Sequence, residues 1–372
     1  MTNTPTYFDY NATTPLKDAA RARMLEAMEL AGNPSSVHSF GRQARKAMED
    51  ARESMAQSVG VRPAQIIFTS GGTEAIDLAL NGLRLNGAPY PCLVSSIEHD
   101  ATLAARSDVA TIPVDANGIV NLDKLESDLA LLGKPALVSI MLANNETGVI
   151  QPVQAAAEIV HKYGGLLHVD AVQAYGKIPV NFILLNADLM TLSAHKIGGP
   201  KGVGALVLRD GISIEPRLKG GGQEQRRRAG TENLVGIAGF GGAASVLRDD
   251  MAHMQKLAGW RDTLEATILA NAPEAVIYGK EVPRLPNTSL VGWPQMAAET
   301  QLMAMDLAGF AVSTGAACSS GKVKPSHVLL AMGMDAKAAQ QAIRISSGWA
   351  TREEDYLNFA QAWLKMARRA AV

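Results

Sequence analysis

Short apolar runs alternate with helix-like stretches between residues 65 and 209, and this alternation constrains the fold more than any other feature of the chain. Each apolar run is short, bounded by turn residues and often β-branched, which is typical of a buried strand. Such an alternation predicts an α/β domain with a mostly parallel sheet and helices on both faces. The predicted strands are 65–70, 92–96, 136–142, 166–171, 188–194 and 204–209, and the intervening helices are 73–85, 122–132 and 152–163.

The pattern changes on both sides of this region. Apolar residues at helical spacing from Phe40 to Val59 predict one long amphipathic helix ahead of the sheet. After about Met251 a long helix, strand-like segments and a final helix from about Thr351 indicate a smaller α+β unit. The long helix is predicted at 252–270, and the strand-like segments near 276–278, 288–291 and 341–347. We therefore expect a large domain, 15–251, and a small domain made of 1–14 and 252–372.

Composition narrows the possible partners and compartment. A formal net charge of -1 gives no overall field that would attract nucleic acid or an anionic membrane. No segment has the roughly 20 apolar residues of a membrane helix, and the N-terminus lacks the features of a signal peptide. The two cysteines, Cys92 and Cys318, form no CxxC pair, which disfavours a disulfide framework and a cysteine-based metal site. These features favour a cytoplasmic protein that binds neither nucleic acid nor membrane.

Two groups of residues that follow predicted strands suit ligand binding, because ligands of open α/β sheets bind beyond the carboxyl ends of the strands. Glycines ahead of Thr73 would allow an anion to approach a helix N-terminus, although a tight turn with a Thr cap explains the same pattern. Asp170, with Gln173 shortly after it, ends the fourth strand. Its carboxylate suits helix capping, a metal, or pairing with a cationic ring nitrogen.

A lysine and a cysteine carry the more specific chemistry. Lys196 ends an apolar strand between His195 and a glycine-rich segment, which favours a buried functional amine over a surface cation. A desolvated lysine has a lowered pKa and can form a Schiff base. Cys318 lies among glycines and small residues, which predicts an exposed loop. Cys92 begins an apolar strand and is interpreted as a buried structural cysteine.

These motifs, taken in order, resemble the cysteine desulfurases of the NifS and IscS type, within the class V aminotransferase-like pyridoxal-phosphate (PLP) enzymes. The resemblance covers almost the whole chain. The lysine, aspartate and cysteine motifs are its specific part. The matching segments are FDYNATTP (8–15), GNPSSVHSFG (32–41), IIFTSGGTEA (66–75), SIEHDA (96–101), NNETG (144–148), HVDAVQ (168–173), SAHKIGGPKGVG (193–204), RRAGTEN (227–233), STGAACSSG (313–321), KPSHVL (324–329) and RISSG (344–348).

The resemblance implies the type I fold of PLP-dependent transferases and a PLP site with assigned roles. Lys196 would be the Schiff-base lysine, Asp170 the partner of the pyridinium nitrogen, Gln173 the donor to the ring hydroxylate, and His99 the residue stacked on the ring. The phosphate would bind at Gly72 and Thr73, helped by Ser193 and His195. Thr231 would reach it from the second subunit of a homodimer. Asn33, Asn145 and Arg344 would position the substrate, with Asn145 also next to the cofactor and Arg344 as the carboxylate clamp.

The implied reaction removes sulfur from L-cysteine. Lys196 would take the Cα proton, and the Cys318 thiolate would attack the substrate sulfur, leaving alanine and a persulfide on Cys318. Catalysis would thus depend on Cys318, Lys196 and His99. The persulfide would pass to an acceptor or scaffold protein, for example in iron–sulfur cluster assembly.

Other interpretations remain open at this point. A class V aminotransferase or another PLP lyase would share Lys196 and Asp170 without needing Cys318. Selenocysteine lyase activity is a close variant. A catalytically silent assembly platform would have no reason to keep Lys196, Asp170, His99 and Cys318 together.

Overall fold

The computed structural model describes residues 5–314 and 324–370. Most of the predicted elements are present within one or two residues of their predicted bounds. The strands are β1 Thr6–Tyr7, β2 Ile66–Thr69, β3 Arg84–Leu85, β4 Ala88–Pro89, β5 Cys92–Ser95, β6 Val109–Ile112, β7 Leu137–Met141, β8 Leu166–Asp170, β9 Leu189–Ser193, β10 Gly204–Leu208, β11 Val276–Ile277, β12 Thr288–Gly292, β13 Phe310–Ala311 and β14 Ala342–Ser346. The helices are α1 Asp18–Met28, α2 Ser39–Val59, α3 Gly72–Asn81, α4 Asp100–Leu103, α5 Leu122–Leu132, α6 Val153–Lys162, α7 Leu234–Ser245, α8 Leu247–Asn271, α9 Ala298–Leu307, α10 His327–Ala331 and α11 Glu353–Ala370.

A seven-stranded sheet forms the centre of the larger part of the chain, with the strand order β2-β10-β9-β8-β7-β5-β6. Strands β9, β8, β7, β5 and β6 pair in parallel, whereas β10 is antiparallel to both of its neighbours. Two antiparallel pairings in succession make β2 run in the same direction as β9. The α/β class with a mostly parallel sheet is therefore confirmed.

Helices cover both faces of this sheet because its strands are apolar on both sides. Along β2, Ile66 and Phe68 join the apolar cluster that contains α2, α6 and α7. Ile67, between them, joins the cluster on the other face, which contains α3. This alternation follows from the two-residue period of a strand.

A separate apolar cluster holds the smaller unit together. It joins Phe8 to α8, α9, α11 and the three-stranded antiparallel sheet β11-β12-β14. Trp363 of α11 is fully buried there, and its ring packs edge-on against Trp293. Helix α8 spans the expected domain boundary at 251, and the two domain ranges stay predictions.

The C-terminal end of α3 and the whole of α7 are among the differences from the sequence predictions, and both have clear physical reasons. The helix predicted at 73–85 ends at Asn81, because Gly82 caps it and residues 84–85 turn into the β3–β4 hairpin. Helix α7 is apolar on all sides, so it has no periodicity to detect. It lies so close to α2 that a Cβ on Gly241 would meet the Cα of Ala51 at 2.5 Å. In the described residues, no helix combines the length and apolarity needed to cross a membrane.

Candidate active site

The carboxyl ends of β2, β5, β7, β8 and β9 meet at one edge of the central sheet and surround a cavity of about 260 Å³. They meet because the strands run in the same direction, β2 through its two antiparallel pairings. Most of the residues expected to bind the cofactor line this cavity. These are Gly72, Thr73, His99, Asn145, Asp170, Gln173, Ser193, His195 and Lys196.

The N-terminus of α3 borders the cavity at Gly72 and Thr73. Its N-cap residue, Gly71, has no side chain to satisfy the first-turn N–H groups, which suits an anion such as phosphate. Gly71 is packed against β10, because a Cβ on Gly204 would lie 2.4 Å from the Gly71 carbonyl carbon. A glycine at 204 is therefore required for this loop to take its position.

Asp170 ends β8 with 6% of its surface exposed, and its Oδ1 accepts a hydrogen bond from the Val172 N–H at 2.9 Å. Burial raises the pKa of its carboxyl, while the Val172 amide, His99 and Lys196 lower it. A cationic partner in the cavity would stabilise the charged form of such a buried carboxylate. The protonated ring nitrogen of PLP is a partner of that kind, so Asp170 fits the implied cofactor.

Lys196 lies in a 3-10 turn that follows β9 directly. Its Nζ donates to the backbone oxygens of Asn11 and, at 3.0 Å, of Ala12. Burial lowers the pKa of Lys196 to about 8; the charge of Arg344 acts in the same direction, and Asp9 opposes it. A considerable fraction of this amine is therefore neutral near physiological pH, as a nucleophile or base requires.

His99 and Asn145 offer opposite hydrogen-bonding groups to the cavity. The Nδ1 of His99 accepts from the Ala101 N–H at 3.1 Å, which places the proton of a neutral ring on Nε2. The Oδ1 of Asn145 is buried and has no hydrogen-bond partner among the described residues. Buried acceptors are normally satisfied, so this oxygen fits a ligand donor.

Three of the remaining expected residues lie outside the cavity lining. Arg344, on β14, is almost fully buried and donates to Asp9 Oδ1 at 2.7 Å and to the Asn145 backbone oxygen at 3.0 Å. Asn33 and Thr231 are exposed. The site roles of these residues stay predictions.

The two cysteines differ as far as the structure describes them. Cys92 is 3% exposed in β5, and burial raises the pKa of its thiol to about 11, so the interpretation as a structural cysteine is confirmed. Cys318 lies outside the described residues. Its role as the sulfur carrier stays a prediction.

The sequence interpretation assigned no role to two residues at the base of the site, Asn11 and Lys177. Asn11 accepts hydrogen bonds at its backbone oxygen from Gln173 and Lys196, and at its Oδ1 from Lys177 and Asn287. Asn11 belongs to the FDYNATTP segment, so the resemblance pointed to the segment but not to its function. Nothing in the local sequence around Lys177 indicates burial.

Comparison with known proteins places this geometry in a family. The aminotransferase class-V family model matches residues 6–359. The cysteine desulfurase of Cereibacter sphaeroides is 44% identical over 361 residues, covering 94% of this chain and 92% of the relative. Cysteine desulfurase IscS of Dictyoglomus turgidum is 41% identical over 368 residues, covering 95% of this chain and 92% of the relative.

Solved structures agree with these relatives. The crystal structure of a NifS-like protein from Rickettsia africae superposes with a TM-score of 0.89 at 34% identity, covering 97% of this chain and 99% of that one. Because a family model and relatives of this identity match nearly the whole length, the chain belongs to the cysteine desulfurases of the class V aminotransferase family.

Proposed function

We propose that this chain uses PLP to remove sulfur from L-cysteine, releasing alanine and leaving the sulfur on Cys318 as a persulfide. The observation that carries the proposal is the pair Lys196 and Asp170. They lie at the ends of neighbouring parallel strands and line the same cavity. An amine of lowered pKa and a buried carboxylate are the two groups that PLP chemistry needs at opposite ends of the ring.

The chain's own residues would hold the cofactor as follows. Lys196 would bind it covalently, Asp170 would keep its ring nitrogen protonated, and the N-terminus of α3 at Gly72 and Thr73 would take its phosphate, with Ser193 and His195. Gln173 would donate to the ring hydroxylate, and His99 would lie against the ring face. Bound PLP supplies an electron sink for charge that develops at the substrate Cα.

Lys196, once released by the substrate amine, would remove the Cα proton, because a pKa near 8 leaves far more of it neutral at physiological pH than an ordinary lysine has. Arg344 would clamp the substrate carboxylate, since a guanidinium holds a carboxylate with two hydrogen bonds. The Nε of Arg344 has no partner among the described residues and is available to donate one of these two hydrogen bonds. Asn145 and Asn33 would position the rest of the substrate.

The Cys318 thiolate would then attack the substrate sulfur. The new S–S bond forms as the carbon–sulfur bond breaks, the electron pair of the broken bond stays with carbon, and a proton gives the methyl group of alanine. His99 would relay protons at this stage. Cys318 follows Thr314 by four residues, a separation that a chain can span up to a limit of about 14 Å.

Both ends of the segment that carries Cys318 are attached close to site residues. On one side, the Arg344 backbone N–H donates to the Ser313 oxygen at 2.6 Å. On the other, Ser326 Oγ donates to Glu146 Oε2 at 2.5 Å, next to Asn145. These anchors support delivery of the Cys318 thiol to the cavity.

A homodimer would complete the site. Thr231 is exposed and does not line the cavity of its own chain, which supports a role for Thr231 in the phosphate site of a second subunit. The persulfide would pass to an acceptor or scaffold protein, such as one that assembles iron–sulfur clusters. A reducing cytoplasm would keep Cys318 as a thiol between turnovers.

The test combines absorption spectroscopy with product assays on the wild type, Lys196→Ala and Cys318→Ala. We expect wild type and C318A to take up PLP, and only the wild type to release sulfide and alanine in equal amounts. Cys92→Ala is the matched control, since it removes the buried cysteine and should keep turnover. A C318A protein with full turnover would point instead to a transaminase or general lyase. A wild type that takes up no PLP would overturn the proposal altogether.

A further inference from the structure

Lys177 is a buried amine that the proposed mechanism does not use. It is 4% exposed, and its Nζ donates to Asn11 Oδ1 at 2.6 Å and to Gln173 Oε1 at 2.7 Å. Both acceptors are uncharged amide oxygens. Burial lowers its pKa well below the ordinary lysine value, and the nearby charges of Lys196 and Arg344 lower it further. A neutral amine has two N–H donors, which matches the two acceptors.

The contacts of Gln173 fix which end of its amide is oxygen. Its Oε1 accepts from Lys177, and its Nε2 donates to the backbone oxygen of Asn11 at 2.9 Å. Reversal of the amide would set the Gln173 oxygen against the Asn11 carbonyl, which can only accept. The amide nitrogen has a second N–H, and Gln173 lines the cavity.

We propose that Lys177 is a positioning residue that holds the Gln173 amide so that an N–H, and not an oxygen, faces the ring hydroxylate of the cofactor. This inference rests on the proposed function, since it concerns the same PLP site. A donor at that place stabilises the anionic ring oxygen, whereas an acceptor would repel it. Lys177 therefore acts through Gln173 and touches neither cofactor nor substrate.

Lys177→Met removes this support with little other change. Asn11 Oδ1 keeps a second donor, Asn287 Nδ2 at 3.2 Å, whereas Gln173 Oε1 loses the one donor it has among the described residues. Methionine is unbranched, fills the space of the lysine stem and needs no hydrogen bond. Lys177→Leu is a second variant for the case that methionine does not fit.

The experiment follows the visible absorption band of bound PLP against pH in wild type, K177M, Gln173→Leu and the double variant. We expect the pH midpoint of the band to rise by about 1 unit in each single variant, because the anionic ring oxygen loses a donor. The double variant should shift no further than Q173L alone, since both changes act through one hydrogen bond. Lys17→Met is the control: Lys17 is another buried lysine of lowered pKa, but its partner is Asp250.

The outcomes separate this inference from the function on which it rests. A wild type that gives no visible band with PLP contradicts the proposed function and, with it, the role of Lys177. A normal wild-type band with an unshifted K177M overturns the role of Lys177 alone. A K177M shift that persists in the Q173L background also overturns it, because Lys177 would then act on the cofactor by a route other than the Gln173 amide.

Discussion

Asp9 and Arg344 form an ion pair at 2.7 Å, and the two members shift the pKa of Lys196 in opposite directions. Arg344 lowers it and Asp9 raises it, so the two charges oppose each other at Lys196. The pair lies 335 residues apart in the chain. The small unit of the fold thus supplies charges that act on the lysine of the large sheet.

Replacing Arg344 by glutamine should weaken substrate binding. Loss of a charge-assisted, two-bond contact costs about 1.5–3 kcal/mol, so we expect the KM for L-cysteine to rise by about 10- to 100-fold. Steady-state kinetics with sulfide detection would measure this. The control is Arg352→Gln, an exposed arginine paired only with its neighbour Asp355 at 4.0 Å among the described residues, which should leave KM unchanged. An unchanged KM in R344Q would remove Arg344 from the substrate site.

Cofactor uptake should depend on pH through Lys196. Only the neutral amine can attack PLP, and burial lowers the pKa of Lys196 to about 8. The rate at which the apoprotein takes up PLP should therefore fall as the pH drops below about 8. An ordinary lysine would give a pH midpoint of uptake near ~10.4. In R344Q the midpoint should move upward, because a charge that lowers the pKa is gone. A midpoint above 10 in the wild type would contradict the assigned environment of Lys196.

Asp170→Asn should leave the shape of the cavity unchanged and strongly reduce turnover. The amide cannot hold the ring nitrogen in its protonated form, so turnover should fall by about 100-fold or more, the order seen when an electrostatic partner of the reaction is removed. Asp188→Asn provides the comparison, since Asp188 is also buried but binds the Leu167 N–H and His161 and does not line the cavity. We expect D188N to lower the melting temperature while the PLP band stays in place. Equal turnover in D170N and wild type would exclude Asp170 as the ring partner.

Gly204→Ala should weaken PLP binding without touching the cofactor. The added Cβ would lie 2.4 Å from the Gly71 carbonyl carbon, so the loop ahead of α3 has to move. We expect the Kd for PLP to rise at least about 10-fold, because the helix N-terminus no longer points at the phosphate. Gly259→Ala is the matched control: its Cβ would meet nothing within 4 Å on α8, and it should stabilise the helix by about 0.5–1 kcal/mol. Equilibrium titration of the apoproteins tests both, and an unchanged Kd in G204A would show that the loop adapts.

The sequence allowed prediction of those site residues whose position depends on a strand of their own. The strand predicted at 188–194 is β9, and this is enough to place Lys196 at the edge of the sheet. Asp170 at the end of β8 follows in the same way. Short apolar runs between turn residues are a local signal, so local reasoning finds them.

The remaining site residues depend on contacts that no local pattern records. Asn11 and Lys177 are separated by 166 residues, and Asp9 and Arg344 by 335, so their pairing becomes visible only in the folded chain. Helix α7 was missed for a different reason. A helix buried on every side has no polar face, and therefore no period that would distinguish it.

The hydrogen bonds of Asn11 determine when the site can form during synthesis. Asn11 is translated long before its partners: its backbone N–H pairs with Ser346 Oγ at 3.0 Å, 335 residues later, and its side chain with Thr288, 277 residues later. The backbone oxygen that holds Lys196 is thus fixed only after β12 and β14 have been translated. A nascent chain that stops short of β14 lacks this support, so the contacts that hold the Lys196 amine cannot all form before β14 has been synthesised.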